Sequence, residues 1–466
     1  MRAVFVLSLL VACSERGAPA EKEPDPSETS TVPTTTSERV AFANPADAID
    51  LDPEEGVLHV ELVATPTAHQ LLFEDGPLVV QGYSYNGQTP GPTLRAEVGD
   101  LLIVDLVNAM DVATTIHWHG VAAPYEMDGA TWQTDPIDAG GSFTYTFVLE
   151  DAGTFWYHPH FDTERQVDLG LYGMLIVEDP AEPVADDELV VVLDTWEEAP
   201  TDDEVGTGVE DHHGLDHTPT RWTVNNLELP VYEAAAGTRV RVRMVNVSNT
   251  GYLDLPPQRW IAADQGLLPA AVENERILLG PGDRAEVEWS VGESWTLTSE
   301  PYHLSGGAAW GDPFELMSVA ADDGAGGASS PIAWPFPGGT VAADPPYTDI
   351  TYVFAGNAGG DGWMINGEMF PEVTVERLVQ GTVGIIEVRN LSPSEHPFHL
   401  HGHEFEVLSI DGEAPSYKRV EDTVNVAEHQ TLRLQVLADN PGFWMTHCHI
   451  LPHAHEGMMT VIEVAP

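Results

Sequence analysis

At 466 residues, with 42% hydrophobic and 8% aromatic residues, the chain can supply cores for roughly three domains of ordinary size. Lys and Arg total 18 against 75 Asp and Glu, and the net charge of -57 argues against nucleic acid or anionic membrane surfaces as partners.

The chain opens on an export signal. Arg2 supplies the positive start, and Ala3 to Ala12 is an apolar run too short to span a bilayer as a stable helix. Leu10-Val11-Ala12-Cys13 resembles the lipobox of bacterial lipoproteins, in which the cysteine takes the lipid and becomes the new N-terminus. That resemblance implies a protein of the exported bacterial cell envelope, in the periplasm or at the cell surface, touching the membrane only through an anchor at Cys13. Residues 14–37, rich in Ser, Thr, Pro and Glu, cannot bury enough apolar surface to fold and form a tether. With Cys13 lipidated and Cys448 on a metal, the chain's two cysteines form no disulfide.

A repeat then appears three times: a turn, an extended segment, a Gly turn and a strand of period-two alternation. The first copy runs from Tyr85-Asn86-Gly87 to Leu101–Asn108, the second from Val224-Asn225-Asn226 to Val240–Asn246, and the third from Ile365-Asn366-Gly367 to Val383–Asn390. Short strands, 42 Gly, 36 Pro and no long amphipathic pattern predict an all-β chain of Greek-key β-sandwich domains. The breakers set their limits at 38–180, 185–320 and 347–466, with a linker over 321–346. The acidic stretch Thr201 to Thr218, with His212, His213 and His217, reads as a solvated insertion in the second domain.

Four segments carry His-x-His: His117-Trp118-His119, His158-Pro159-His160, His399-Leu400-His401 and His447-Cys448-His449. On a strand, residues two apart share a face at about 6.5 Å, suited to neighbouring metal ions. One pair is weak evidence; four, two in the first repeat and two in the third, form a pattern. Cys448, His453 and Met458 add a thiolate, an imidazole and a distant thioether, the ligand set of a blue copper centre once one more histidine joins them. Imidazoles on both neighbours of the cysteine suit electron transfer onward to a nearby metal cluster.

These segments, with the Pro90-Gly91-Pro92 turn and the strand from Gly170 to Val177, resemble the copper-binding segments of the multicopper oxidases over about Leu58 to Val464. The resemblance implies three consecutive cupredoxin-like domains and four copper ions. It implies that His396, Cys448, His453 and Met458 hold a type 1 copper, and that His117 and His399 hold a type 2 copper. His119, His158, His160, His401, His447 and His449 hold a type 3 pair by the same resemblance. Asp128 matches an acid that assists proton delivery to reduced oxygen. His403 is expected to pack rather than ligate, and the isolated His59, His69, His303 and His429 to be structural or exposed. Ligands from the first and third repeats place the cluster between those domains, with the second as a spacer.

Two departures from the family bear on mechanism. Ala454 stands where many bacterial relatives carry a proton-feeding glutamate, leaving His455 or Glu456 as substitutes. Where cuprous oxidases carry a carboxylate and a methionine just before the first type 1 histidine, this chain reads Leu391-Ser392-Pro393-Ser394-Glu395, and its 11 methionines are scattered rather than gathered in a Met-rich insertion. The expected function is therefore a laccase-like oxidase, coupling one-electron oxidation of phenolic or other small reductants to reduction of O₂ to water. The alternatives are a metal-ion oxidase for Cu(I), Fe(II) or Mn(II), a copper nitrite reductase, and a non-enzymatic copper-binding scaffold of the cell envelope. The nitrite reductase has no need of histidines on both sides of the cysteine, and the scaffold has no need of an intact ligand set.

Overall fold

The computed structural model describes residues 39–73, 76–132, 134–196, 221–302, 313–322, 330–334, 347–356 and 362–466. The export signal, Cys13, the tether, His212, His213, His217, His303 and most of the 321–346 linker lie outside the described residues.

Among the described residues the strands form six sheets, paired in three sandwiches. In the first, a sheet of Gly76–Tyr85, Val57–Phe73, Leu101–Asn108 and Ser142–Val148 faces one of Gly91–Glu97, Gly173–Glu178, Gly153–His158 and His117–His119. In Leu101–Asn108 every second residue is buried, as the period-two pattern requires. The second sandwich is built around Asp187–Trp196, Arg239–Asn246 and Arg284–Ser290, and the third around Tyr347–Gly356, Thr382–Asn390, His396–Leu400 and Gly442–Cys448. Each encloses its own apolar core.

The sequence repeat has a common structural job in all three. Asn86, Asn225 and Asn366 take left-handed conformations, with φ of 56°, 53° and 55°, which Asn tolerates better than most residues. Each side chain then clamps the opening strand of its domain. The Oδ1 atoms accept from the N–H of Val63, Val192 and Val353 at 2.7, 2.8 and 2.8 Å. The Nδ2 atoms donate to the carbonyls of Glu61, Val190 and Thr351 at 2.9, 2.8 and 3.0 Å. Each opening strand runs parallel to the last strand of its repeat, a pairing no hairpin can make and which needs a crossover.

The asparagines that end the repeats are fully buried and also act alike. Asn108, Asn246 and Asn390 donate to Ile137, Leu279 and Val426 carbonyls at 2.8, 3.0 and 3.0 Å, and accept from the N–H two residues ahead. Each such hydrogen bond contributes about 1 kcal/mol. Together they fix the loops that deliver the chain into the strands His117–His119 and His396–Leu400.

Candidate metal centre

Register brings the histidine pairs together. His117 lies opposite His158 in one antiparallel pair, and His399 opposite His447 in another. Alternation then sorts the side chains by face. Trp118 turns into the core of the first domain, while Phe398, Leu400 and Cys448 turn into the core of the third. The imidazoles on either side of them meet where the two domains join: His117 stacks on His401 at 3.9 Å, and His119 on His399 at 3.8 Å.

All twelve residues predicted to ligate are at most 6% exposed. The structure divides the six histidines expected at the paired site into two trios, His119–His158–His449 and His160–His401–His447. His117 and His399 converge with His401 on a third point, and each group has its ligand atoms within 4.8 Å of one another.

The hydrogen bonding turns the lone pairs inward. Nδ1 of His117, His158, His399 and His447 faces the carbonyls of Asp128, Pro159, Asp422 and Cys448 at 3.0, 2.8, 3.0 and 2.9 Å. Nδ1 of His401 faces Asp128 Oδ2 at 3.0 Å, and that of His119 faces Asp422 Oδ1 at 3.2 Å. An oxygen that only accepts requires the proton on Nδ1, leaving Nε2 as a bare donor atom. Nε2 of His117, His119, His158 and His399 and both ring nitrogens of His449 have no hydrogen-bond partner. His401 and His447 point Nε2 at each other across 3.0 Å. Burial holds His119, His158, His160, His401 and His449 well below the ordinary imidazole range, and His447 down at about 3. Neutral, buried, unpartnered imidazoles at this density fit metal ions.

A second site lies inside the third domain. Nδ1 of His396 and of His453 approach Cys448 Sγ to 3.4 and 3.6 Å, and each other to 3.1 Å. His396 Nε2 is tied to Ser392 Oγ at 2.6 Å, so Nδ1 is its free donor. The short helix Leu451–His455 carries His453, and Met458, fully buried, shares a core with Cys448. Burial pushes the Cys448 thiol up, so a thiolate here needs a cation beside it.

Sequence models of the multicopper oxidase family match residues 70–182 and 343–466. The multicopper oxidase mco of Staphylococcus epidermidis is 30% identical over 82% of this chain and 83% of its own. The crystal structure of a multi-copper oxidase from Pseudomonas thermotolerans superposes with a TM-score of 0.73 at 31% identity, covering 88% of this chain and 99% of that one. A laccase structure from Pediococcus acidilactici does so with a TM-score of 0.77 at 27% identity, covering 92% and 94%. The chain belongs to the multicopper oxidase family. It is an oxidoreductase that binds copper and uses O₂ with a reductant.

In this multicopper oxidase the second domain is more than the expected spacer. Its Arg284, fully buried, reaches Asp422 and lies 3.3 Å from His119 Nδ1. Asp422 in turn touches both His119 and His399. Against the opposing effect of burial, Arg284 and His119 hold its carboxyl well below the usual range. Gly282, also from the second domain, backs the His449 ring so closely that a β-carbon would lie 2.8 Å from His449 Cγ.

Sequence reasoning missed Asp422, Arg284 and Gly282, since one acid among 75 carries no contrast. Arg284 offered a weak signal: it is one of only 18 Lys and Arg in the chain, and a cation that is buried must have a partner. Asp128, by contrast, is buried between His401 and His117, 3.0 and 3.2 Å from their Nδ1 atoms.

The remaining described histidines fall outside the two sites. His403 packs edge-on against Trp444, and His69 lies beside Trp196. His59 pairs with Asp105, and His429 is exposed beside Glu428. His455, expected as a proton donor, is exposed and faces Glu164 at 3.8 Å. Glu395 is buried and accepts from Tyr302 Oη at 2.7 Å and from Asn425 Nδ2 at 2.5 Å.

Proposed function

We propose that this enzyme couples one-electron oxidation of phenolic or other small organic reductants to the four-electron reduction of O₂ to water. The convergence of eleven imidazole and thiolate side chains on two buried sites, joined through Cys448, supports this reading. His396, Cys448, His453 and Met458 would hold one copper. His117 and His399 would hold a second, and the two trios a close pair. Copper bound there supplies one-electron redox steps and a docking point for O₂.

The chain's own part is geometric and electrostatic. Cys448 shares a backbone with His447 and His449, so a short covalent path leads from the sulfur to the imidazole cluster. Asp128 and Asp422 fix the ring tautomers, and burial keeps the rings neutral and able to ligate. Asp128, touching two of those rings, is placed to pass protons to reduced oxygen. Glu395 is taken up by Tyr302 and Asn425, which favours organic reductants over a metal ion bound at that carboxylate. The leader sequence supports a place in the cell envelope, tethered at Cys13.

Oxygen consumption by copper-loaded protein, with a phenol, an aromatic diamine, Fe(II), Mn(II) and Cu(I) in parallel, tests the reading. Turnover should be fastest with the organic reductants, and Cys448→Ser should abolish both the blue colour and turnover with all of them. Copper content well below four ions per chain, or a marked preference for one metal ion, overturns it.

A further inference from the structure

The sulfur site is roofed by aromatic rings. Trp363 lies over His453 with ring centroids 4.1 Å apart at 35°, and meets His396 edge-on at 5.0 Å. His396 is fully buried and His453 is 6% exposed, so little of either ligand is left for a reductant to touch. Met369 packs onto Gly362, beside Trp363, and onto Gly457, beside Met458. The next residue, Phe370, donates its N–H to the Gly457 carbonyl at 3.0 Å, and its ring meets Trp132 at 5.5 Å. Met369 and Phe370 are half-buried, and Trp132, contributed by the first domain, is 37% exposed. Trp363 itself is buried, 8% exposed, so the apolar strip of Trp132, Phe370 and Met369 leads from the surface to the ring that covers the ligand. Glu368 and Glu456 border it in sequence, in a chain of net charge -57.

We propose that Trp363 is the electron port of this enzyme, and that the strip of Trp363, Met369, Phe370 and Trp132 docks a planar, positively charged aromatic amine. The aromatic faces attract a cation and the surrounding carboxylates steer it. The proposal rests on the oxidase reading above and names the reductant class. In the step, the amine monocation loses one electron and one proton. The proton goes to solvent, the product leaves as a radical cation, and the electron crosses the Trp363–His453 contact into the oxidised holoenzyme, whose final acceptor is O₂.

Anaerobic bleaching of the blue absorption of copper-loaded protein tests this, with protonated N,N-dimethyl-p-phenylenediamine and hydroquinone sulfonate as probes of opposite charge. The unmodified protein should react faster with the amine, by a margin that narrows as salt is added. Trp363→Leu should slow bleaching roughly tenfold with an unchanged resting spectrum, and Trp132→Ala should raise the half-saturating amine concentration about threefold at an unchanged limiting rate. Bleaching of Trp363→Leu as fast as the unmodified protein, or a preference for the sulfonate, overturns the proposal. Should Trp363→Leu lose its colour, Trp132→Ala decides, and an unchanged amine dependence then overturns it. If neither reductant bleaches the unmodified protein, the oxidase reading fails instead.

Discussion

Where the first domain meets the third, Nε2 of His117, His119, His158 and His399 is buried without a hydrogen-bond partner. Where it meets the second, Arg241 and Arg243 grip Glu286 at 2.6 and 2.7 Å, and Thr154 reaches Glu286 at 2.6 Å and Arg243 at 2.9 Å. Both seams are polar and both exclude water, but only the second is satisfied by the protein alone. A buried polar group left without a partner costs about 1–3 kcal/mol. The imidazole seam is therefore shaped for something it must acquire, and the ionic seam for holding the domains in place. Arg284 and Asp422 join the two kinds of seam: a saturated ion pair whose carboxylate also orients unsatisfied rings.

Acid should separate the seams most widely. Burial lowers the folded-state pKa of His119, His158, His160, His399, His401 and His449 below the ordinary 6.5, and that of His447 to about 3. The unfolded chain therefore binds more protons below pH 6.5, and stability is lost as pH falls from there. Each neutral ring costs about 1.4 kcal/mol per pH unit, so a handful of them removes a typical folding margin within about two units.

Glu286 behaves otherwise. Against burial, Arg241 and Arg243 hold it down at about 2, so its contribution survives until pH falls below the ordinary carboxylate range. Asp194, which burial pushes up to about 7, has the opposite sign and withdraws stability as pH rises through that value. Urea unfolding of copper-free protein should show a steep loss between pH 6.5 and 5, and copper should shift that loss to lower pH. A flat profile over this range would contradict neutral imidazoles at the first seam.

Substitution sharpens the contrast at the second. Glu286→Ala leaves Arg241 and Arg243 with only Glu182 and Glu188 as partners and should cost about 1.5–3 kcal/mol in unfolding free energy, with copper content per folded molecule unchanged. His449→Leu should do the reverse, leaving copper-free protein as stable as before or more so while copper content falls. Equal losses of stability in the two variants would erase the distinction between the seams.

The imidazole seam was largely legible in the sequence and the ionic one was not. His-x-His on a strand declares a shared face through local periodicity, and the Cys448 segment carries its neighbours with it. The repeat asparagines were visible as a pattern, although their clamping of the opening strands needed the crossover to be seen. Arg284, Asp422 and Glu286 act through partners 132 or more residues away in several of their contacts, and no local pattern marks which acid meets which base. Trp363 stood beside the third repeat, yet its contact with His453 spans most of the third domain.

The finest test concerns Asp128, which belongs to the imidazole seam yet is itself a charge. Its two carboxylate oxygens face Nδ1 of His401 and His117 at 3.0 and 3.2 Å, and its carbonyl faces His117 at 3.0 Å. Asn keeps one acceptor and the backbone carbonyl, so Asp128→Asn preserves most of the orientation of both rings but removes a group that can take up and release a proton. Copper content should be unchanged and unfolding free energy should stay within about 1 kcal/mol of the unmodified protein, whereas oxygen consumption should drop by roughly tenfold or more. The deficit should widen as pH rises, because solvent protons become scarcer while the demand set by O₂ does not change. Loss of copper instead would make Asp128 a positioning residue like Asp422, and unchanged turnover at pH 8 would remove it from proton delivery altogether.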